Sequence, residues 1–134
     1  MGARKLKPKA WNWQERSIED WNTTTVRAYL RAKHEELLGI PYVAKNVKME
    51  AGQIKWMLDN YGPEVTRAFI DECFRDYKPN PRFPGLNFWF MFTYMRNRVL
   101  PRVLEQMRKA EERNEGGGKG GTAVPVIEDI RNWL

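Results

Sequence analysis

Cysteine and histidine are nearly absent from this chain of 134 residues, which contains one of each. A single cysteine, Cys73, cannot form an intramolecular disulfide, which favours a cytosolic protein. One histidine and one cysteine also fall short of the usual ligand set of a zinc site. His34 and Cys73 lie in different predicted helices, and the glycines of residues 116–121 lack the Lys-Ser/Thr of a phosphate-binding loop. We therefore predict that the protein is not an enzyme and that it holds no metal or other cofactor.

Long apolar runs are absent as well. The run from Leu86 to Met95 is much shorter than the roughly 20 apolar residues that cross a bilayer, and Arg96 closes it. The basic N-terminus lacks the apolar stretch that follows in a signal peptide. We therefore expect a single-domain cytoplasmic protein that makes no contact with a membrane.

Acidic residues are missing from the first nine positions, where four basic residues lie: Arg4, Lys5, Lys7 and Lys9. The net charge is +6, so this arm accounts for most of it and only about +2 remains for the rest of the chain. A basic tail attracts polyanions. Because residues 1–10 show no apolar periodicity, we predict that they are disordered or become ordered on binding.

Tryptophan is concentrated directly after this arm, at Trp11, Trp13 and Trp21. Each indole brings a large apolar surface. The segment either packs as a strap across the core, provides a stacking platform for bases, or anchors a protein partner. Residues 1–20 thus constitute a basic, Trp-containing N-terminal arm.

Helical periodicity dominates residues 21–115, and no strand pattern competes with it. A first helix is predicted at residues 24–38, between capping residues that start at Asn22 and the stop at Gly39. Its apolar side chains keep a helical spacing, and His34 lies on the opposite, polar face.

A second helix is predicted at residues 49–60, and Gly62-Pro63 marks a stop and a new start. The third helix then ends near Tyr77. Because the join is short, it predicts a helix-turn-helix-like corner or an antiparallel hairpin. Cys73 lies on the apolar face of the third helix, which indicates a buried structural thiol.

A stiff connector with three prolines, residues 78–84, precedes the aromatic run. Between Leu86 and Met95 the apolar side chains surround the helix, which predicts burial on every side. Pro101 kinks this helix or divides it in two. We therefore predict an all-α protein, a compact bundle of four to five helices around this buried aromatic-rich helix.

A basic stripe follows on the last helix, where four side chains fall within about 60° of one another: Arg98, Arg102, Lys109 and Arg113. The stripe is either a salt-bridged solvent face or a surface that tracks phosphates. Glu105 lies beside it and can pair with Lys109 at i,i+4.

A Gly-rich linker, residues 116–121, separates the helical domain from a short amphipathic C-terminal helix at residues 122–134. Such a tethered helix docks either on its own domain or on a partner.

Three segments together resemble small bacteriophage-encoded proteins of replication modules: WNTTTVRAYLRAKHEELLGIPYV, MLDNYGPEVTRAFIDECF and PRFPGLNFWFMFTYMRNRVLP. In that family a pattern of YG-x-E-V, FID-x-CF and Y-x-P recurs in a compact helical domain. The resemblance covers residues 21–104. It implies a phage or prophage origin, the cytoplasm of a bacterial host, and a DNA-binding or helicase-loading accessory role, and it transfers no binding residue.

We predict from these observations a non-enzymatic accessory factor that binds nucleic acid, DNA in the first place, with modest and salt-sensitive affinity. The candidate phosphate contacts are Arg4, Lys5, Lys7, Lys9, Arg98, Arg102, Lys109 and Arg113. The alternative is a protein-interaction module that captures a replication protein or a host protein. Its candidate contacts are Trp11, Trp13, Ile127, Ile130, Trp133 and Leu134.

Overall fold

The computed structural model describes residues 7–114, which are helical and contain no strand. The elements are a 3-10 turn at Ile18–Asp20, helix α1 at Thr23–Leu38, helix α2 at Val47–Asp76, and a continuous helix α3. Helix α3 consists of three consecutive segments: an α turn at Phe88–Phe90, a π turn at Met91–Met95 and an α-helix at Arg96–Asn114. The all-α prediction is confirmed. Three long helices occupy the described residues, and the finer prediction of four to five helices is not confirmed.

Helix α1 begins and ends where its capping residues dictate. The Asn22 side chain accepts a hydrogen bond from the Thr25 amide at 3.1 Å, and the Thr25 hydroxyl accepts one from the Asn22 amide at 3.2 Å. This reciprocal pair satisfies two amides of the helix start. At the other end, Gly39 adopts the left-handed conformation with φ 75° and donates its amide to the Glu35 carbonyl.

Helix α2 contains the predicted break, but no turn separates its two halves. Gly62 alone leaves helical geometry, with φ 87° and ψ 168°, and the helix resumes at Pro63. Proline suits this position because the first residue of a helix needs no amide hydrogen. The Thr66 hydroxyl donates to the Gly62 carbonyl at 2.8 Å. The structure therefore contains a single non-helical residue where a corner or a hairpin is predicted.

Helix α2 lies at the centre of the fold, since it packs against α1, against α3 and against the 3-10 turn. Its fully buried side chains include Ile54, Met57 and Phe69. Phe69 meets Phe88 of α3 edge to face, with ring centroids 6.2 Å apart. The bundle is therefore organised around α2, and the prediction that the aromatic-rich helix is its centre is wrong.

The start of α3 is buried on one face only. Phe88 and Met91 are fully buried, whereas Phe90 is 37% exposed and Tyr94 is 59% exposed. The prediction of burial on every side is wrong because α2 covers only one side of this helix. The opposite face borders the proline connector, which leaves these two rings open to solvent.

Pro101 neither divides nor ends α3, which runs on to Asn114. The irregular part is the π turn at Met91–Met95, which ends before the proline. Such turns occur mostly as single insertions within α-helices and are frequent at functional sites.

The N-terminal strap interpretation is confirmed for two of the three tryptophans. Trp21 is buried in the core, and the Trp13 ring packs edge-on against Tyr29 at 4.9 Å between centroids. Arg16 fixes the strap by donating to the Pro8 carbonyl at 2.7 Å and to the Asp20 carbonyl at 3.0 Å. Within residues 7–114, no helix combines the length and the apolar character needed to cross a bilayer.

Candidate functional site

A cleft of about 710 Å³ lies between the proline connector and the first turns of α3. Aromatic side chains make up half of its wall, and one lysine and two asparagines add polar groups. Its lining residues are Lys45, Tyr77, Asn80, Phe83, Gly85, Leu86, Asn87, Trp89, Phe90 and Tyr94.

Three rings of this cleft are exposed to solvent: Phe83, which is 61% exposed, and the rings of Phe90 and Tyr94 described above. The π turn brings Tyr94 against both Phe90 and Trp89, with ring centroids 5.1 Å and 5.4 Å apart. An i→i+5 geometry places residues five apart above one another, which accounts for the Trp89 contact. The result is a cluster of aromatic faces and edges on one wall of the cleft.

The connector forms the second wall and is closed on itself by hydrogen bonds. The Tyr77 hydroxyl donates to the Phe83 carbonyl at 2.6 Å. The Asn80 side-chain oxygen accepts from the amides of Arg82 and Phe83, both at 2.9 Å. A tyrosine hydroxyl is protonated at neutral pH and can donate, and burial raises the pKa of Tyr77 further. These bonds, together with the prolines, hold Phe83 in place.

His34 anchors the floor of the cleft from α1. It is only 1% exposed, so the prediction that places it on a polar face is wrong. Its Nε2 accepts a hydrogen bond from the Leu86 amide at 3.0 Å, which leaves Nδ1 to donate to the Ile40 carbonyl at 2.9 Å. The tautomer is thus set by two backbone partners, and the connector covers what the periodicity alone marks as a solvent face.

Tyr42 makes a second anchor, at the first residue of α3. Its hydroxyl accepts from the Phe88 amide at 2.9 Å and donates to Glu50, which is buried and paired with Arg27 at 3.2 Å. Burial and the Glu50 carboxylate raise the pKa of Tyr42 far above its ordinary value. Asn87 caps the same turn by accepting from the Phe90 amide at 2.8 Å.

The electrostatic character of the cleft is basic, and none of its lining residues is acidic. The Lys45 ammonium lies 3.9 Å from the centroid of the Trp89 ring. The segment from Tyr77 to Leu104, which supplies most of the cleft, contains no Asp or Glu. Its basic residues are Lys78, Arg82, Arg96, Arg98 and Arg102. Lys78 and Arg82 lie on the exposed connector and form no ion pair within residues 7–114.

The predicted basic arm lies partly outside the described residues, which begin after Arg4 and Lys5. Lys7 pairs with Asp20 at 3.5 Å, and Lys9 is exposed. Their interpretation as phosphate contacts stays a prediction.

The predicted stripe on α3 is divided into two arginines that pair with acids of α2 and two cations that form no ion pair within residues 7–114. Arg102 bonds to Asp76 at 3.0 Å and to Glu72 at 3.1 Å, and Arg98 lies 3.5 Å from Asp76. The hydrogen bond from Arg102 lowers the pKa of Asp76. At this end the arginines join α3 to α2. Lys109 and Arg113, farther along the helix, are exposed.

Glu105 pairs with Arg108 at 2.6 Å, not with Lys109 as the i,i+4 spacing suggests. Arg108 also bonds to Glu112 at 2.5 Å, so one arginine holds two carboxylates of the same helix.

Of the candidate partner contacts, only Trp11 and Trp13 lie within the described residues. Trp11 is 63% exposed, while Trp13 packs on the core. Ile127, Ile130, Trp133 and Leu134 lie outside the described residues. Cys73 is fully buried as predicted, and burial raises the pKa of its thiol well above the ordinary value.

The cleft residues are not among the candidates drawn from the sequence. The sequence does not identify Lys45, because its contact with Trp89 joins segments that are far apart in the chain. It does not identify Phe90 and Tyr94, because a nearly unbroken apolar run predicts a buried core helix. The signal that points to them is the absence of any acid between Asp76 and Glu105.

Comparison with protein-family models, curated proteins and solved structures finds no match to this chain.

Proposed function

We propose that the protein binds single-stranded nucleic acid in the aromatic cleft and serves as an accessory factor in DNA replication. The observation that carries the proposal is the combination of exposed aromatic rings with a wholly non-acidic lining that includes Lys45. Aromatic faces stack on unpaired bases regardless of sequence, and lysines and arginines supply the phosphate contacts.

Each part of the cleft has a role in this proposal. Phe90 and Tyr94 present stacking surfaces, and Phe83 adds a third exposed ring from the connector. Lys45, which lies over the Trp89 ring, would contact a phosphate at the cleft itself, and the exposed Lys78 and Arg82 of the connector would add further phosphate contacts. The hydrogen bonds of His34 and Tyr42 keep the cleft preformed, which lowers the entropy cost of binding.

The resemblance to replication-module proteins of bacteriophages supports the choice of DNA. A single strand is favoured over a duplex because stacking on Phe90 and Tyr94 needs bases whose faces are free. Lys45, Lys78 and Arg82 form no ion pair within residues 7–114. Unpaired positive charge of this kind favours a polyanion as the ligand.

Fluorescence anisotropy with a labelled oligothymidylate tests the proposal. We expect Phe90→Ala and Tyr94→Ala each to weaken binding by roughly 5- to 150-fold, because one base–aromatic stack is worth about 1–3 kcal/mol. Both side chains are partly exposed, so both variants should remain folded. Trp11→Ala is the matched control, an exposed aromatic outside the cleft, and it should bind as the unmodified protein does.

Two results would reject the proposal. One is the absence of binding to single-stranded DNA or RNA at about 50 mM salt, where phosphate contacts are strongest. The other is equal binding by the unmodified protein and by Tyr94→Ala.

A further inference from the structure

A second concavity, the basic pocket, borders the start of the proline connector at Tyr77 and Pro79. Its volume is about 570 Å³, and it contains three cations and one acid. Its lining residues are Tyr29, Lys33, Leu37, Leu38, Arg67, Asp71, Phe74, Arg75, Tyr77 and Pro79.

The basic pocket and the aromatic cleft are joined by shared residues. Tyr77 lines both of them. A hollow of about 410 Å³ beside the prolines shares Leu37, Leu38 and Pro79 with the basic pocket and Asn80 with the cleft. The three concavities therefore lie next to one another along the connector, and together they are called the groove.

The charges of the basic pocket suit an anion. Arg67 forms no ion pair with a carboxylate in the described part of the chain; its guanidinium lies 5.1 Å from the Tyr29 ring and 5.3 Å from the Trp21 ring. The one acid of the lining, Asp71, accepts a hydrogen bond from the Tyr29 hydroxyl at 2.5 Å. That bond directs the carboxylate towards Tyr29.

The other two cations each have a partner on their own helix, an exposed one for Lys33 and the buried carboxylate of Glu72 for Arg75. Lys33 pairs with Glu36 at 3.4 Å, and Arg75 pairs with Glu72 three residues away. The pair of Lys33 with Glu36 is a surface pair, which contributes little free energy, so a phosphate can compete for Lys33. The Arg75 side chain is 70% exposed and can turn to a phosphate, because Arg102 still pairs with Glu72.

We propose that the strand bound in the aromatic cleft continues past the prolines into the basic pocket, where Lys33, Arg67 and Arg75 hold its phosphates. This inference rests on the proposed function and extends it. The bases of the strand stack in the cleft, its middle part lies in the hollow beside the prolines, and its phosphate backbone binds in the basic pocket. Full affinity then requires a strand long enough to span the whole groove.

Salt titrations with two oligothymidylates, of about four and about twelve nucleotides, test the inference. The variant Lys33→Gln/Arg75→Gln should bind the longer strand about tenfold more weakly. The slope of log affinity against log salt should shrink by about 1.4, since each lost phosphate contact contributes about 0.7 for a single strand. The shorter strand should be bound within about twofold of the unmodified protein.

Lys55→Gln is the matched control. Lys55 is an exposed lysine of α2 in an i,i+4 pair with Asp59, outside all three concavities. Arg75→Gln alone is a second variant, because the Arg75 side chain is 70% exposed and its loss leaves the core intact. It should reduce the salt slope by about 0.7.

The outcomes separate the two proposals. If Tyr94→Ala weakens binding but both charge variants bind the longer strand with unchanged affinity and slope, the proposed function stands and the continuation into the basic pocket is wrong. If neither Tyr94→Ala nor the charge variants change binding, the proposed function is wrong and the inference fails with it.

Discussion

At the scale of single residues, Gly85 differs from the other glycines of residues 7–114 because a side chain, that of His34, lies close to it. A Cβ on Gly85 would lie 3.2 Å from His34 Nε2 and 3.4 Å from Cε1. The ring is held in place, because both of its nitrogens are engaged, with the Ile40 carbonyl and the Leu86 amide. Glycine is therefore favoured at this position, because any side chain would force the ring to shift by a few tenths of an ångström.

Gly85→Ala is expected to lower the free energy of unfolding by about 1–2 kcal/mol, because the added methyl overpacks the site and disturbs the Leu86 bond. Urea denaturation provides the measurement. Gly52→Ala is the matched control, since a Cβ there meets nothing within 4 Å. Alanine in a helix interior should instead raise stability by about 0.5–1 kcal/mol. Equal stability of the two variants would contradict the role given to the His34 contact.

At the scale of helices, the sequence is informative where a residue acts through its own backbone. Asn22, Gly39 and Gly62 are correctly identified as start, stop and break, since capping and positive φ are local properties. His34 and Tyr94 are assigned to the wrong environments because burial depends on what a distant segment covers. The π turn is also missed, since no residue type in MFTYM demands it.

The two positive-φ glycines should differ in their tolerance of asparagine. Gly39 lies in the left-handed helical region, which asparagine adopts readily, whereas Gly62 at φ 87° and ψ 168° lies in a region that is essentially confined to glycine. We expect Gly62→Asn to destabilise the fold by about 1–3 kcal/mol and Gly39→Asn by less than about 1 kcal/mol.

Thermal or urea unfolding of the two asparagine variants provides the comparison, with far-UV circular dichroism to check that helix content is kept. A larger loss of stability for Gly39→Asn than for Gly62→Asn would show that the backbone conformation at position 62 does not depend on glycine.

At the scale of the whole molecule, the basic excess alone is a poor guide to the site. The sequence points to the arm and to the stripe on α3, yet Arg98 and Arg102 join α3 to acids of α2. The acid-free segment 77–104 is visible in the sequence, but its meaning depends on the fold, which places its rings around an open cleft.

The contact between α2 and α3 should make the fold sensitive to acid. Because Arg102 lowers the pKa of Asp76 in the folded state, this carboxylate stabilises the fold above its unfolded pKa of about 4. The contribution is lost as pH falls through the lowered folded pKa. Urea unfolding between about pH 6 and pH 2.5 measures it.

Asp76→Asn should be less stable than the unmodified protein at pH 6, and its stability should fall less steeply towards low pH, since asparagine does not ionise. Parallel stability curves for the two proteins would contradict the assignment of this acid sensitivity to Asp76.

The hydrogen bonds from His34 and Tyr42 to the entrance of α3 have a consequence for attempts to transplant the site. A peptide of residues 77–94 would carry every ring of the cleft, yet it would lack the imidazole, the phenol and the helix surface that give those rings their arrangement. Such a fragment grafted onto another scaffold would contain the rings without the contacts that fix their relative positions. The recipient scaffold would have to supply two side-chain acceptors for the Leu86 and Phe88 amides before the rings could take up the arrangement that they have in the cleft.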